Sequence, residues 1–305
     1  MKKPAMLPIL AAFLVAAVPA LAGEARVSFV FKALNTVFWH EVKAGAENAA
    51  RNFPDLELSL RAPAREMTAE QQIQVIEEEM ARGIDVLILA PCDEVQLFPV
   101  MADVHKRGVK VILVDSDTPW PDRAAFVGPN NVMGGYTAAD YIVKRLGGIG
   151  KVAIIAGASG DSTAIRRTNG AREAFRMNRG MQLVAVRTGG WERYDAMTEM
   201  ENLLTTVPDL DAVFCCSDEM ALGALEAIRA AKAGTFVVGF DASPEACKSI
   251  RAGEMAASIA QNSDNTGRMA VAAAYRLATG KKIPPLIDTG IELITRDNVG
   301  EFMTK

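Results

Sequence analysis

The chain has few of the residues on which most covalent and metal chemistry depends. Its 305 residues include four cysteines, Cys92, Cys215, Cys216 and Cys247, and two histidines, His40 and His105. Cysteines this scattered make no disulfide framework, and no spacing among them matches a zinc site. Cys215 and Cys216 are neighbours in a run that reads as a buried strand, where adjacent side chains point to opposite faces. They read as small core hydrophobes, not as a redox pair. Both histidines sit inside helical patterns among charged neighbours, the setting of solvated helix surface. No GxGxxG follows a strand pattern, and no GxxxxGK followed by Ser or Thr occurs, so the signatures of nucleotide phosphate binding are missing. An excess of positive charge is missing too: 33 basic residues face 37 acidic ones, for a formal charge of −4. That balance excludes the basic footprint of a nucleic-acid partner. Past residue 22 no apolar run is long enough to span a bilayer.

What is present is a globular composition, 50% hydrophobic and 23% charged, at a length that suggests two domains of roughly 100 to 150 residues each. Residues 1–22 stand apart. Lys2 and Lys3 form a cationic start, Leu7 to Val18 is almost wholly apolar, and Ala20-Leu21-Ala22 has the small-x-small form of a cleavage site. This predicts an export signal removed after Ala22. No cysteine follows Ala22, so a lipoprotein anchor is not indicated. The predicted product is soluble and exported, and more acidic than the whole chain because two lysines and no acids leave with the leader.

Beyond the leader, short apolar runs alternate with amphipathic stretches. Strands are predicted at 25–31, 56–60, 86–90, 110–115, 151–157, 182–187, 212–216 and 235–240, with further strand patterns at 257–261 and 291–295. Between them lie helical patterns such as AEQQIQVIEEEMARG, in which Ile73, Ile76 and Met80 share a face and Gly83 ends the helix. Strands that are continuous apolar blocks are buried on both faces, which means parallel sheets covered by helices. The rhythm occurs once before about residue 128 and again from about residue 150, and the tail adds a strand, a helix and a strand. The predicted fold is α/β, with two doubly wound parallel-sheet lobes joined by a three-strand hinge. Crossings are expected near Gly128 to Asn131, Gln261 to Asp264 and Leu286 to Gly290, giving an N-terminal lobe of 23–129 plus 262–287 and a C-terminal lobe of 130–261 plus 288–305.

Ligands of open parallel sheets collect at the carboxyl ends of the strands. The residues just past those ends are Lys32, Asn35, Phe38 and Trp39; Asp115, Ser116 and Asp117; Trp191; Ser217 and Asp218; Asp241; and Gln261. Carboxylates and amides beside aromatic planes suit a polyhydroxyl ligand, whose hydroxyls donate to acids and accept from amides while its C–H faces lie on rings. Plainer roles are open to several of them. Ser217 or Asp218 fits an N-cap of the following helix, Asp241 a turn before Pro244, one of Phe38 and Trp39 the core, and Lys32 either an anionic ligand group or a neighbouring acid. Catalysis has less support: Asp115 and Asp117 are two apart on an extended segment, and nothing supplies a nucleophile with its base.

Five segments then carry a resemblance. FKALNTVFWHEVKAGAENAA, VKVILVDSD, VFCCSDEMALGALEAI, VVGFDASPE and ASIAQ follow one another in the order and spacing of the ribose-binding protein and its relatives, the periplasmic sugar-binding components of ABC transporters. The likeness covers essentially the whole chain after the leader. It is shared in fold by the sensor domains of lactose-repressor-like regulators, against which the leader and the missing helix-turn-helix count. It implies a two-lobed periplasmic clamp, with no enzymatic activity and no cofactor, that closes on a sugar or polyol and docks on a membrane permease. A chemoreceptor is a compatible second partner. By position it implies ligand contact from Phe38, Trp39, Asp115, Trp191, Ser217, Asp218, Asp241 and Gln261. Ribose binders carry Arg where Ser116 stands, and a small polar residue in the place of Lys32. Their second-lobe arginine falls on Ile165 with Arg166 and Arg167 beside it, and Arg166 is taken as the candidate. These departures bear on ribose itself as the ligand.

Overall fold

The computed structural model describes residues 24–62, 68–93 and 95–303, so the leader reading lies outside the described residues. Within these bounds two six-stranded sheets form two lobes. The first lobe is built by β1 (Ala25–Val30), α1 (Val37–Ala50), β2 (Leu56–Arg61), α2 (Ala69–Arg82), β3 (Val86–Leu89), α3 (Phe98–Lys106), β4 (Lys110–Val114) and β5 (Ala125–Gly128). The second takes α4 (Asn131–Arg145), β6 (Ile149–Ala156), α5 (Ser162–Met177), β7 (Gly180–Thr188), α6 (Arg193–Thr206), β8 (Ala212–Cys215), α7 (Asp218–Ala231), β9 (Phe236–Asp241), α8 (Pro244–Ala252) and β10 (Ala257–Ala260). Then α9 (Ser263–Ala278) and β11 (Leu286–Asp288) return to the first lobe, and β12 (Glu292–Ile294) ends in the second.

The first sheet runs β11-β5-β4-β3-β1-β2 and is parallel throughout. The second runs β12-β10-β9-β8-β6-β7 and is parallel except for the β12 edge, which pairs antiparallel with β10. Every residue of β3, β5, β8 and β10 is buried, as strands covered on both faces require, whereas the edge strand β7 is exposed at Gln182, Val184, Arg187 and Thr188. Two of these strands, β5 and β11, have no counterpart in the predicted pattern. AFVG is too short to show a period, and β11 begins on the last residue of the proline-rich KKIPPL.

The α2 face also differs from its periodicity. Ile76 is fully buried, but Ile73 and Met80 are only half-buried, and the other buried positions are Ala69, Gln72 and Glu79. Gln72 is buried because its amide completes the strand ends. Nε2 donates to Phe31 O at 3.4 Å and Ala90 O at 2.9 Å, and Oε1 accepts from Cys92 N at 2.9 Å. One side chain thus ties together the loops that leave β1 and β3.

The chain passes from one sheet to the other between Gly128 and Asn131, between Ala260 and Ser263, and between Asp288 and Glu292. The helices that begin at the first two passages pack at backbone distance on a neighbour. A Cβ on Gly135 of α4 would lie 1.9 Å from Arg167 O of α5, and one on Gly267 of α9 would lie 1.9 Å from Val42 O of α1. Only glycine permits these approaches. The α4–α5 contact fixes Arg167 directly beside the first passage.

Candidate functional site

The carboxyl ends of both sheets face each other across a cleft enclosing about 730 Å³ of empty space, partly open to solvent. From the first lobe Lys32, Asn35, Phe38, Trp39 and Asp115 line it, and from the second Thr163, Arg167, Trp191, Ser217, Asp218, Asp241 and Gln261. Ten of the twelve sequence-predicted residues therefore come together in one place.

Three of the lining residues stand on backbone that favours glycine: φ is 63° at Asp115, 69° at Trp191 and 122° at Asp241. Each such non-glycine conformation costs on the order of 1 to 3 kcal/mol. The cost falls where each chain leaves its strand and turns a side chain into the cleft. Trp191 also needs space beneath it: a Cβ on Gly157, at the end of β6, would come within 2.2 Å of the indole. On the opposite wall Trp39 is braced edge-on by Phe31 at 5.9 Å and Phe38 at 4.8 Å, with Phe38 half-buried and Trp39 buried. The two aromatic walls belong to different lobes.

The charged residues are already partnered. Lys32 Nζ lies 2.5 Å from Oδ2 of Asp161, whose Oδ1 caps α5, and 3.4 Å from Asp115 Oδ2. Arg167 is buried and spends its guanidinium on four acceptors. Nε donates to Asn131 Oδ1 at 2.8 Å, Nη1 to Cys216 O at 2.8 Å and Nη2 to Gln261 Oε1 at 2.9 Å, while Asp241 Oδ1 is 3.6 Å from Nη1. The same guanidinium stacks 3.5 Å from the Phe240 ring centroid. Gln261 passes the chain on, Nε2 to Asp241 Oδ1 at 2.5 Å, because the register sets Ala260 of β10 opposite Asp241 of β9. Asn131 closes the network by donating to Asp115 O at 3.3 Å.

Asp218 is held differently. Its Oδ1 accepts from Ser258 Oγ at 2.7 Å and its Oδ2 from Ser243 N at 2.6 Å, so it ties α7 to β10 and to the start of α8. Burial pushes its carboxyl up to about 7, against the downward pull of the Ser258 and Ser243 hydrogen bonds. Burial likewise raises Asp241 well above the usual carboxylate range, with Arg167 opposing and the charges of Asp218 and Asp115 adding to the rise. Ser217 both lines the cleft and caps α7, accepting from Met220 N at 3.3 Å.

Two candidates lie elsewhere. Asp117 and Arg166 are absent from the lining and meet each other, Arg166 Nη2 donating to Asp117 O at 2.8 Å. The second-lobe arginine in the cleft is Arg167. Helical period separates the two: Ala164, Arg167, Ala171 and Ala174 form the buried face of α5, and Arg166 falls to its side. Asp161, Thr163 and Asn131 were missed. The first two follow β6, a strand end for which no site residue is predicted, and DST is an N-cap signature. Asn131 carries no signal of its own in the sequence.

The described residues lining the cleft include no histidine and no cysteine. Both oxygens of Asp218 are occupied and Ser217 serves as a cap, while the Ser116 and Thr163 hydroxyls lie 3.3 and 3.5 Å from Asp115 Oδ2. What the cleft offers is hydrogen bonding between two aromatic walls.

Residues 27–282 match the periplasmic binding protein domain. The chain is 33% identical over 275 residues to a ribose import binding protein of Salmonella typhimurium, covering 88% of this chain and 90% of the relative. It is 31% identical over 288 residues to a D-allose-binding periplasmic protein of Escherichia coli, with 91% and 89% covered. Among solved structures, an ABC transporter solute binding protein of Bacillus halodurans with bound myo-inositol aligns with a TM-score of 0.88 at 26% identity, covering 93% of this chain and 98% of that one. A periplasmic solute binding protein of Actinobacillus succinogenes with bound D-allose aligns with a TM-score of 0.85 at 25% identity, with 90% and 99% covered.

Proposed function

The chain belongs to the periplasmic binding protein family, and from that membership we propose that it is an exported receptor that closes two lobes on an uncharged sugar or polyol and hands it to an ABC-transporter permease. The leader is cleaved after Ala22, and the lobes are 23–129 with 262–287 and 130–261 with 288–305. The protein makes and breaks no bond in its ligand.

The observation that carries this reading is the division of the cleft between lobes. Trp39 and Asp115 come from one lobe, Trp191, Arg167, Asp241 and Gln261 from the other, and only closure lets one ligand touch both sets. Taking such a clamp from almost fully open to almost fully closed needs about 5.5 kcal/mol of differential affinity. A micromolar site supplies about 8 kcal/mol in all. A pyranose or cyclitol ring between Trp39 and Trp191 would present its hydroxyl edge to Asp115, Arg167, Asp241 and Gln261, and these are the ligand contacts we assign. D-Allose and myo-inositol, the ligands of two structural relatives, have this shape: a ring with hydroxyls all round and no charge.

Titration calorimetry of the processed chain against D-ribose, D-allose and myo-inositol tests the proposal. At least one is expected to bind at micromolar or tighter dissociation constant. Trp191→Ala and Asp241→Ala are each expected to weaken that binding by 100-fold or more, roughly 3 kcal/mol. Unchanged affinity in both variants would place the ligand elsewhere.

A further inference from the structure

Asp117 and Arg166 sit outside the cleft yet join the lobes. Asp117 belongs to the loop between β4 and β5 of the first sheet, and Arg166 to the second turn of α5, which packs on the second. Arg166 Nη2 donates to Asp117 O at 2.8 Å, and Arg166 Nη1 lies 3.7 Å from Asp117 Oδ2. Both ends are anchored in their own lobe. Trp120 of the loop is buried in the first lobe's core, and Arg123 holds the loop's shape, with Nε 3.0 Å from Asp117 Oδ1 and Nη1 donating to Trp120 O at 3.2 Å. On the other side Asp161 caps α5 through Thr163 N at 2.7 Å and Ala164 N at 3.1 Å.

Arg123 matters because it belongs to the same lobe as Asp117 and neutralises it whether the cleft is open or shut. Opening therefore frees Arg166 without stranding a buried carboxylate. A contact that can be broken without leaving an unpaired buried charge is weak and reversible, and Arg166, 37% exposed at its side chain, can return to water. Other cross-lobe contacts, Lys32 with Asp161, Thr163 Oγ1 with Ser116 Oγ at 3.1 Å and with Asp115 O at 3.1 Å, and Asn131 with Asp115 O at 3.3 Å, each include a residue that lines the cleft. The Arg166 contact does not.

We propose that Arg166 and Asp117 form a ligand-independent clasp that sets the balance between open and closed lobes, and so tunes affinity for every ligand by the same factor. The proposal rests on the clamp reading above. Arg166 is a positioning residue: it never touches the ligand, and it lengthens the time the closed form persists. For a clamp whose binding-competent form is only partly populated, apparent affinity scales with that population.

The test measures dissociation rates of D-ribose, D-allose and myo-inositol from the wild type, Arg166→Ala and Arg166→Lys. The expected result is a rate about 3- to 10-fold faster in Arg166→Ala, by the same factor for every probe that binds. Arg166→Lys, which keeps a donor for Asp117 O, recovers part of the loss. Raising salt from about 50 mM to about 500 mM speeds release from the wild type and has a smaller effect on Arg166→Ala, since an exposed ion pair is screened. An unchanged rate in Arg166→Ala overturns the clasp, as does a change confined to one probe, which would make Arg166 a ligand contact. A wild type that binds none of the three overturns the sugar reading instead. In that case small-angle scattering of the ligand-free proteins decides the clasp: a larger radius of gyration in Arg166→Ala supports it, and identical profiles overturn it.

Discussion

Lys32 and Asp161 meet across the cleft, with Nζ of the first lobe 2.5 Å from Oδ2 of the second and both side chains almost wholly buried. Asp115 stands 3.4 Å from the same ammonium. One cation is thus shared by two carboxylates; of the other described acids that line the cleft, Asp241 lies 3.6 Å from Arg167 and Glu219 lies 3.0 Å from Arg193. Among the described residues lining the cleft, both cations, Lys32 and Arg167, already face carboxylates.

Removing the Lys32 cation strands two buried acids. Lys32→Met is expected to weaken sugar binding by at least 100-fold, and to destabilise the closed form by roughly 3 to 5 kcal/mol, the usual consequence of breaking a buried pair on one side. Calorimetry and thermal unfolding in saturating sugar measure the two effects. A variant that kept both wild-type affinity and the wild-type unfolding midpoint would contradict the role given to this lysine.

Gly157 has its function in the space it leaves. Gly157→Ala would set a methyl 2.2 Å from the Trp191 indole, so the ring must turn away from the cleft. Sugar affinity is expected to fall by 10-fold or more while the ligand-free unfolding midpoint moves little, since Trp191 stands at the cleft and only half-buried. Tryptophan fluorescence on titration should lose its ligand response in step. Wild-type affinity in this variant would mean that Trp191 is not a wall of the site.

Most of the fold was legible because buried parallel strands are written as unbroken apolar blocks such as VLIL and KVILV. β5 and β11 were not, since four and three residues carry no period and their pairing is set by the returning chain. The same split runs through the site. Asp115, Trp191, Asp241 and Gln261 could be named because strand ends can be located from the strands. Arg167 was displaced by one residue in favour of Arg166, which helical phase on Ala164, Ala171 and Ala174 corrects. Asn131 is important only because α4 and α5 cross at Gly135, and the sequence carries no trace of that contact.

Asp218 gives the protein a pH signature. Its carboxyl, raised to about 7 by burial, keeps a proton in the fold that the unfolded chain gives up near 3.8. Between those values the folded state binds more protons, so this group's contribution to stability falls as pH rises and levels off above about 7. Asp218→Asn removes the titration and keeps the shape. Its ligand-free unfolding midpoint, compared with wild type, is expected to improve from about pH 5 to about pH 7 and to hold level above that. Parallel profiles for the two proteins would show that Asp218 ionises normally in the fold.

Arg167 is expected to be irreplaceable by lysine. Its guanidinium reaches Asn131, Cys216 O, Gln261 and Asp241 at once and stacks on Phe240, which an ammonium cannot reproduce. Arg167→Lys should therefore lose 100-fold or more in affinity, against the several-fold change expected for Arg166→Ala. Equal effects at the two positions, read by calorimetry, would contradict the separate roles given to them.

The central claim is that two lobes shut on an uncharged hydroxylated ring. Small-angle X-ray scattering of the processed wild type, with and without the tightest-binding of D-ribose, D-allose and myo-inositol, addresses it directly. The account predicts a smaller radius of gyration with sugar and a profile that matches the lobe arrangement described above. Superimposable profiles at a sugar concentration shown by calorimetry to saturate the site would contradict it.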